Sequence, residues 1–161
     1  MNGASSVIMR ALHRFVVARP EARRFAAKAW LGAPLVQASL ATAGFRRTLR
    51  LITWISGGSA PLRRRRRRPV GPEEGASLVR GAFRFQLGKG ACLPQALLQY
   101  GLHLCDGVPV QLVVGVRRPE DGQALAAHAW VEAAPRGERI RAMPPAGFTP
   151  LFVHCSGDQV S

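Results

Sequence analysis

Two residues in this 161-residue chain, Cys92 and His128, have the types and spacing of a thiol catalyst. Cys92 opens a run of strong helix formers, Ala96, Leu97, Leu98 and Gln99, behind a loop that carries Gly88 and Gly90. The start of a helix presents unpaired N–H groups and the positive end of the backbone dipole, and both favour thiolate over thiol. His128 sits in an apolar run, 124–134, whose length and Trp/Val content suit a buried strand. A thiolate attacks an amide carbonyl best when an imidazole takes its proton and later returns it to the leaving amine. Linear order alone does not bring the pair together. Each residue also has an ordinary reading, since cysteine is among the most buried residue types and a histidine in an apolar strand is often a satisfied core group.

Stepping outward from the pair, the cysteine helix runs from Leu93 to about Cys105 and tolerates Pro94 in its first turn. Asp106-Gly107 is a turn signal. A strand over 108–116 alternates Val110, Leu112, Val114 and Val116 on one face. Pro119-Glu120-Asp121-Gly122 makes a hairpin loop to the histidine strand, 124–134. Pro135-Arg136-Gly137 turns the chain into a third strand over 138–142, and a last short run covers 151–155. Upstream of the cysteine, Pro72-Glu73-Glu74 starts a helix with Ala76, Leu78, Val79, Ala82, Phe83 and Leu87 as its buried stripe. The expected class is α+β, with a helix packed on a small antiparallel sheet.

The N-terminal half differs in chemistry. Residues 1–68 hold fifteen of the twenty-three Lys/Arg and one acid, Glu21, whereas in residues 69–161 eight basic residues meet eight acidic ones. The net charge of +14 therefore lies entirely in the first half, which suits an acidic partner or an anionic lipid surface as well as a solvated basic face. Helices are expected over 7–18, from Pro20 to about Gly32, over 35–43 and over 46–55, with Trp30 and Trp54 as core residues. Arg63 to Arg68, between Gly57-Gly58 and Pro69, form an exposed linker because six adjacent arginines repel one another and cannot bury. The division is a basic helical region 1–56, a Gly/Pro/Arg-rich linker 57–71 and a core 72–161, and a chain beginning near Val70 is expected to fold by itself. With both tryptophans assigned to the core, nucleic acid is not an expected partner.

Three cysteines, Cys92, Cys105 and Cys155, imply neither a disulfide framework nor a zinc site. His103 and Cys105, with His154 and Cys155, are the nearest thing to a ligand set, and no metal is expected. A working thiol suits a reducing, cytoplasmic setting. No signal peptide is evident. The uncharged stretch 29–45 is broken by Pro34 and two glycines and is too short to span a bilayer, so membrane contact would be peripheral, at the inner face.

Helix with cysteine, strand, strand with histidine is the order of the papain-like and transglutaminase-like cysteine enzymes. More narrowly, ACLPQALLQYGL, VQLVVGVRR and AHAWVE, in this order and spacing, resemble the leader peptidase (B protein) of lasso peptide biosynthesis, in the split form whose recognition domain is a separate polypeptide. The resemblance covers about residues 72–143. It implies a transglutaminase-like cysteine peptidase that removes the leader from a ribosomally made precursor, with Cys92 as nucleophile and His128 as base. Its partners would be the precursor peptide, a leader-recognition protein and a lasso cyclase. No cofactor is implied, and an ATP requirement is left open. The competing readings are a transglutaminase-like acyl transferase or amidase on another substrate, and a basic scaffold module without catalysis.

One departure from the family stands out. An aspartate usually follows on the next strand and orients the histidine. If the turn centres on Pro135-Arg136, His128 pairs with Met143 and has Ala142 beside it, and neither is an acid. Glu138 lies about 16 Å along that strand and Glu132 some 13 Å along the histidine strand, at ~3.3 Å per residue. Asp121 is a more distant candidate. No oxyanion donor is assigned, the backbone N–H of Cys92 at the helix start being a natural candidate; Gln86, six residues upstream, falls in a predicted helix.

Overall fold

The computed structural model describes residues 19–57, 69–86, 92–117, 125–134, 145 and 147–155, without the side chains of Phe85 and Gln86. The helix expected over 7–18, most of the arginine linker and the strand expected over 138–142 lie outside the described residues. Among the described residues three helices, α1 (Pro20–Gly57), α2 (Pro72–Gln86) and α3 (Cys92–Cys105), precede three strands, β1 (Val110–Arg117), β2 (Ala126–Ala133) and β3 (Thr149–Cys155). The fold is the expected α+β.

Pro20 and Glu21 open α1 as the sequence requires. The expected stop near Gly32 does not occur. A Cβ on Gly32 would come within 2.6 Å of Leu98 Cδ1, so this glycine admits the neighbouring helix and does not cap its own. Pro34 points outward while Ala29, Ala33 and Val36 stay buried, and the helix continues past it. The break comes at Gly44, with φ 75°, a conformation that other residues rarely adopt. Residues 20–43 and 45–57 thus form two arms of a helical hairpin, tied by the Ser39 and Thr48 hydroxyls at 2.9 Å. Trp30 and Trp54, expected inside, are 54% and 77% exposed. The stripe that meets the core is Ala22, Phe25, Ala29, Ala33 and Val36, and Trp30 falls about 100° away from Ala29 around the helix.

Helix α3 is buried almost all round, from Pro94 and Ala96 through Tyr100 to His103. It packs on α1 and α2 on one side and on β1 and β2 on the other. Such a helix has little amphipathic contrast to display, which explains its uniformly apolar sequence. Its end is a Schellman motif: Gly107, at φ 72°, donates its N–H to the Leu104 carbonyl (3.0 Å) and Val108 donates to that of His103 (2.9 Å). With the Val108 N–H committed there and none on Pro109, β1 begins at Val110, two residues later than expected.

The sheet order is β2-β1-β3, all antiparallel. The hairpin β1–β2 forms as expected, with Gly115 opposite His128 and Val113 opposite Trp130. The run at 151–155 becomes β3, which flanks β1 on the side away from β2. One sheet face, with Val110, Leu112, Ala129 and Val131, enters the helical core. That core also takes Phe25, Leu49, Val79, Phe83 and Leu97, so both halves of the chain share it. Val70, at the end of the expected linker, is 2% exposed and belongs to it as well.

Candidate active site

Cys92 is the first residue of α3, so its own N–H is among those that a helix leaves unpaired. Its side chain is half-buried against the helical core. The thiol Sγ lies 3.8 Å from the Ala127 carbonyl oxygen, on the residue that immediately precedes His128. Helix α3 thus delivers the sulfur to β2, which is an edge strand of the described sheet.

Alternation along β2 decides where the imidazole goes. Ala129 and Val131 face the helices, so His128, Trp130 and Glu132 share the opposite face. There His128 stacks on the Trp130 indole, with centroids 5.8 Å apart and planes at 19°, and leans on Phe148 at 5.4 Å. Arg117 stands 5.5 Å over the Phe148 ring. The structure places both residues at the same stretch of β2 and does not bring the ring against the sulfur: Cys92 packs on the helical core with its thiol on the Ala127 carbonyl, and the His128 ring lies on the opposite face among aromatic neighbours.

The same face carries a polar network. Trp130 Nε1 donates to Glu132 Oε1 at 2.6 Å, and Gln111 Nε2 donates to Glu132 Oε2 at 2.8 Å. Cys155 Sγ lies 3.8 Å from Gln111 Oε1. Glu132 bonds Trp130 and Gln111 and not His128, which meets this network only through the stacked indole. Gln111 is fully buried and was not singled out from the sequence. The alternating strand pattern hides it, because β1 is the central strand and is covered on both faces. A close approach completes the arrangement: a Cβ on Gly115 would come within 2.9 Å of the Trp130 ring and of the Thr149 carbonyl, so the glycine makes room for the indole.

Asp121, Glu138, Ala142 and Met143 lie outside the described residues, and Gln86 closes α2. The four residues considered as a ligand set do not converge. His103 is wedged against Phe25, Cys105 lies on Ser56, His154 stands beside Tyr100, and Cys155 lies on Gln111. Among the described residues no group of three His, Cys, Asp or Glu side chains is placed to hold a metal ion. No described helix is long and apolar enough to cross a membrane.

The model of the transglutaminase-like superfamily matches residues 33–153, so the chain belongs to that superfamily. Its members are in general cysteine-based enzymes, which is consistent with peptidase or acyl-transferase chemistry. The match begins within α1, and so takes in part of the basic helical region as well as the sheet. Comparison with curated proteins and with solved structures gives no match.

Proposed function

We propose that this protein is the cysteine peptidase that removes the leader from a ribosomally synthesised lasso peptide precursor, working in trans with a separate leader-recognition protein and a cyclase. The motifs around Cys92 and His128 support the narrower reading, and membership of the transglutaminase-like superfamily supports the chemistry. The observation that carries it is the placement of Cys92 at the first position of a buried helix, with its sulfur on the main chain next to His128.

In this mechanism the Cys92 sulfur forms a bond to the scissile carbonyl carbon while His128 holds the thiol proton. The N–H groups at the start of α3 stabilise the oxyanion. The C–N bond then breaks, and the imidazolium protonates the leaving amine. Water hydrolyses the remaining thioester, with His128 now as base, and returns the free thiol. Proton transfer requires a heavy-atom separation of about 2.6–3.2 Å, and such contacts commonly tighten only when substrate is bound. The described geometry holds the ring on the face of β2 away from the helices, so the proposed transfer requires the imidazole to reach the Cys92 side of the strand. Among the described residues Trp130 holds the ring by stacking, and Glu132 in turn fixes the indole by accepting its N–H.

Cys92→Ala should abolish leader removal, read by mass spectrometry of precursor incubated with the full chain and its recognition protein, while circular dichroism stays that of the parent. Retained cleavage by this variant would sink the peptidase reading.

A further inference from the structure

A second concavity lies away from Cys92 and His128 and shares no residue with that pair. It is an apolar groove of about 250 Å3, with the two arms of α1 as walls and α3 as floor. Leu35 and Val36 form one wall, Leu51 and Ile55 the other, and Leu98 and Leu102 the floor. The hydroxyls that reach it are already used: Ser39 bonds Thr48 at 2.9 Å, and Ser56 donates to the Gly101 carbonyl at 3.3 Å. The groove therefore offers an occupant apolar contact and little else. Its lips are costly to leave in water, with Leu35 69%, Leu51 47%, Ile55 50% and the adjacent Trp54 77% exposed.

We propose that this groove docks an amphipathic helix of an acidic partner protein. Shape points to a helix. Leu51 and Ile55 on one wall, and Leu98 and Leu102 on the floor, stand at i, i+4 spacing, and rows of that kind leave the channel into which the ridge of another helix packs. Charge points to an acidic one. Arg46, Arg47 and Arg50 are exposed on the same arm, with Arg47 one turn before Leu51 and Arg50 one turn before Trp54. No charged residue lines the groove, and the nearest acid along α3, Asp106, is paired with Lys28 at 2.7 Å. A second copy of this chain, at +14, meets the same arginines with repulsion, and residues 7–18 carry Arg10 and Arg14 with no acid. A bilayer is flat and would leave the recess between the arms unfilled. The site does not depend on the peptidase chemistry, and binding is read without cleavage.

The experiment uses the full chain and a fluorescent synthetic helix with leucines on one face and glutamates on the other. Its twin carries lysines in place of the glutamates. The acidic helix should bind at least about tenfold tighter than the basic one, with affinity falling as salt rises. Leu51→Asp with Ile55→Asp, at the exposed lip, should weaken it by about tenfold or more, as expected for central apolar anchors. Arg47→Glu with Arg50→Glu changes solvent-exposed positions alone, leaves the core packing intact and should reverse the preference between the twins. Equal binding of the two peptides, or no response to either pair of substitutions, overturns the proposal. Association that responds to Leu51 and Ile55 only with phosphatidylglycerol vesicles, single-stranded nucleic acid or a second copy also overturns it, in favour of that occupant.

Discussion

Between His128 and the Glu132 carboxylate stands the Trp130 indole, stacked on one and hydrogen-bonded to the other. If the ring is positioned by that contact, the indole is a positioning residue for His128. Trp130→Ala should then lower the rate of leader removal by about tenfold or more, equivalent to at least ~1.4 kcal/mol at the transition state, with little change in KM. Trp130→Phe keeps a stacking face and loses the N–H to Glu132, so it should fall between the two. Steady-state kinetics on all three forms test this, and an unchanged kcat for Trp130→Ala would remove the indole from the mechanism. Glu132→Gln should resemble Trp130→Phe, since it weakens the same hydrogen bond without emptying the site.

Where α1, α2 and α3 meet, His103 is fully buried against the Phe25 ring and the Gly75 backbone. Among the described residues neither ring nitrogen has a hydrogen-bond partner. Burial pushes its pKa from 6.5 down to about 4, against the opposing pull of the Asp106 carboxylate. The sign follows from proton binding. Between pH 6.5 and 4 the unfolded chain carries a proton on this histidine and the folded chain does not, so stability is lost as the pH falls through that window and is unaffected above it. The loss amounts to about 3 kcal/mol on reaching pH 4. Urea unfolding at a series of pH values should show this slope, and His103→Leu should flatten it without weakening the protein at pH 8, because an apolar side chain leaves no polar atom unpaired.

At the scale of the whole molecule, the two halves that differ so much in charge are not separate bodies. Phe25, Ala33, Val36 and Leu49 of α1 pack into one core with Phe83, Leu97 and Leu112. Burying Phe25, Val36 and Leu49 stabilises by about 1.5–3 kcal/mol each, against a net stability of about 5–15 kcal/mol for a typical domain. A chain cut to residues 69–161 should therefore lack a cooperative thermal transition, contrary to the independence that the arginine-rich linker suggests. Circular dichroism melting of that fragment decides the matter. A sharp transition near that of the full chain would make α1 a dispensable cover.

The sequence by itself determined the α+β class, the cysteine at a helix start, the β1–β2 hairpin and the position of His128 on its second strand. Each of these is written in local chemistry: a glycine-bearing loop before a run of helix formers, a Pro/Gly turn, period-two alternation. Elements whose faces are decided by neighbours far along the chain were not legible. Gly32 looks like a stop until Leu98 is brought against it, and the tryptophans of α1 look like core until smaller residues are found filling the contact with α3. Gln111 falls between the alternating apolar positions of its strand, and its burial follows only once β3 places β1 at the centre of the sheet. The link from His128 through Trp130 to Glu132 needed the strand face as well as the strand. Tertiary structure decided these points because burial depends on which surfaces are already occupied, and no window of sequence contains that information.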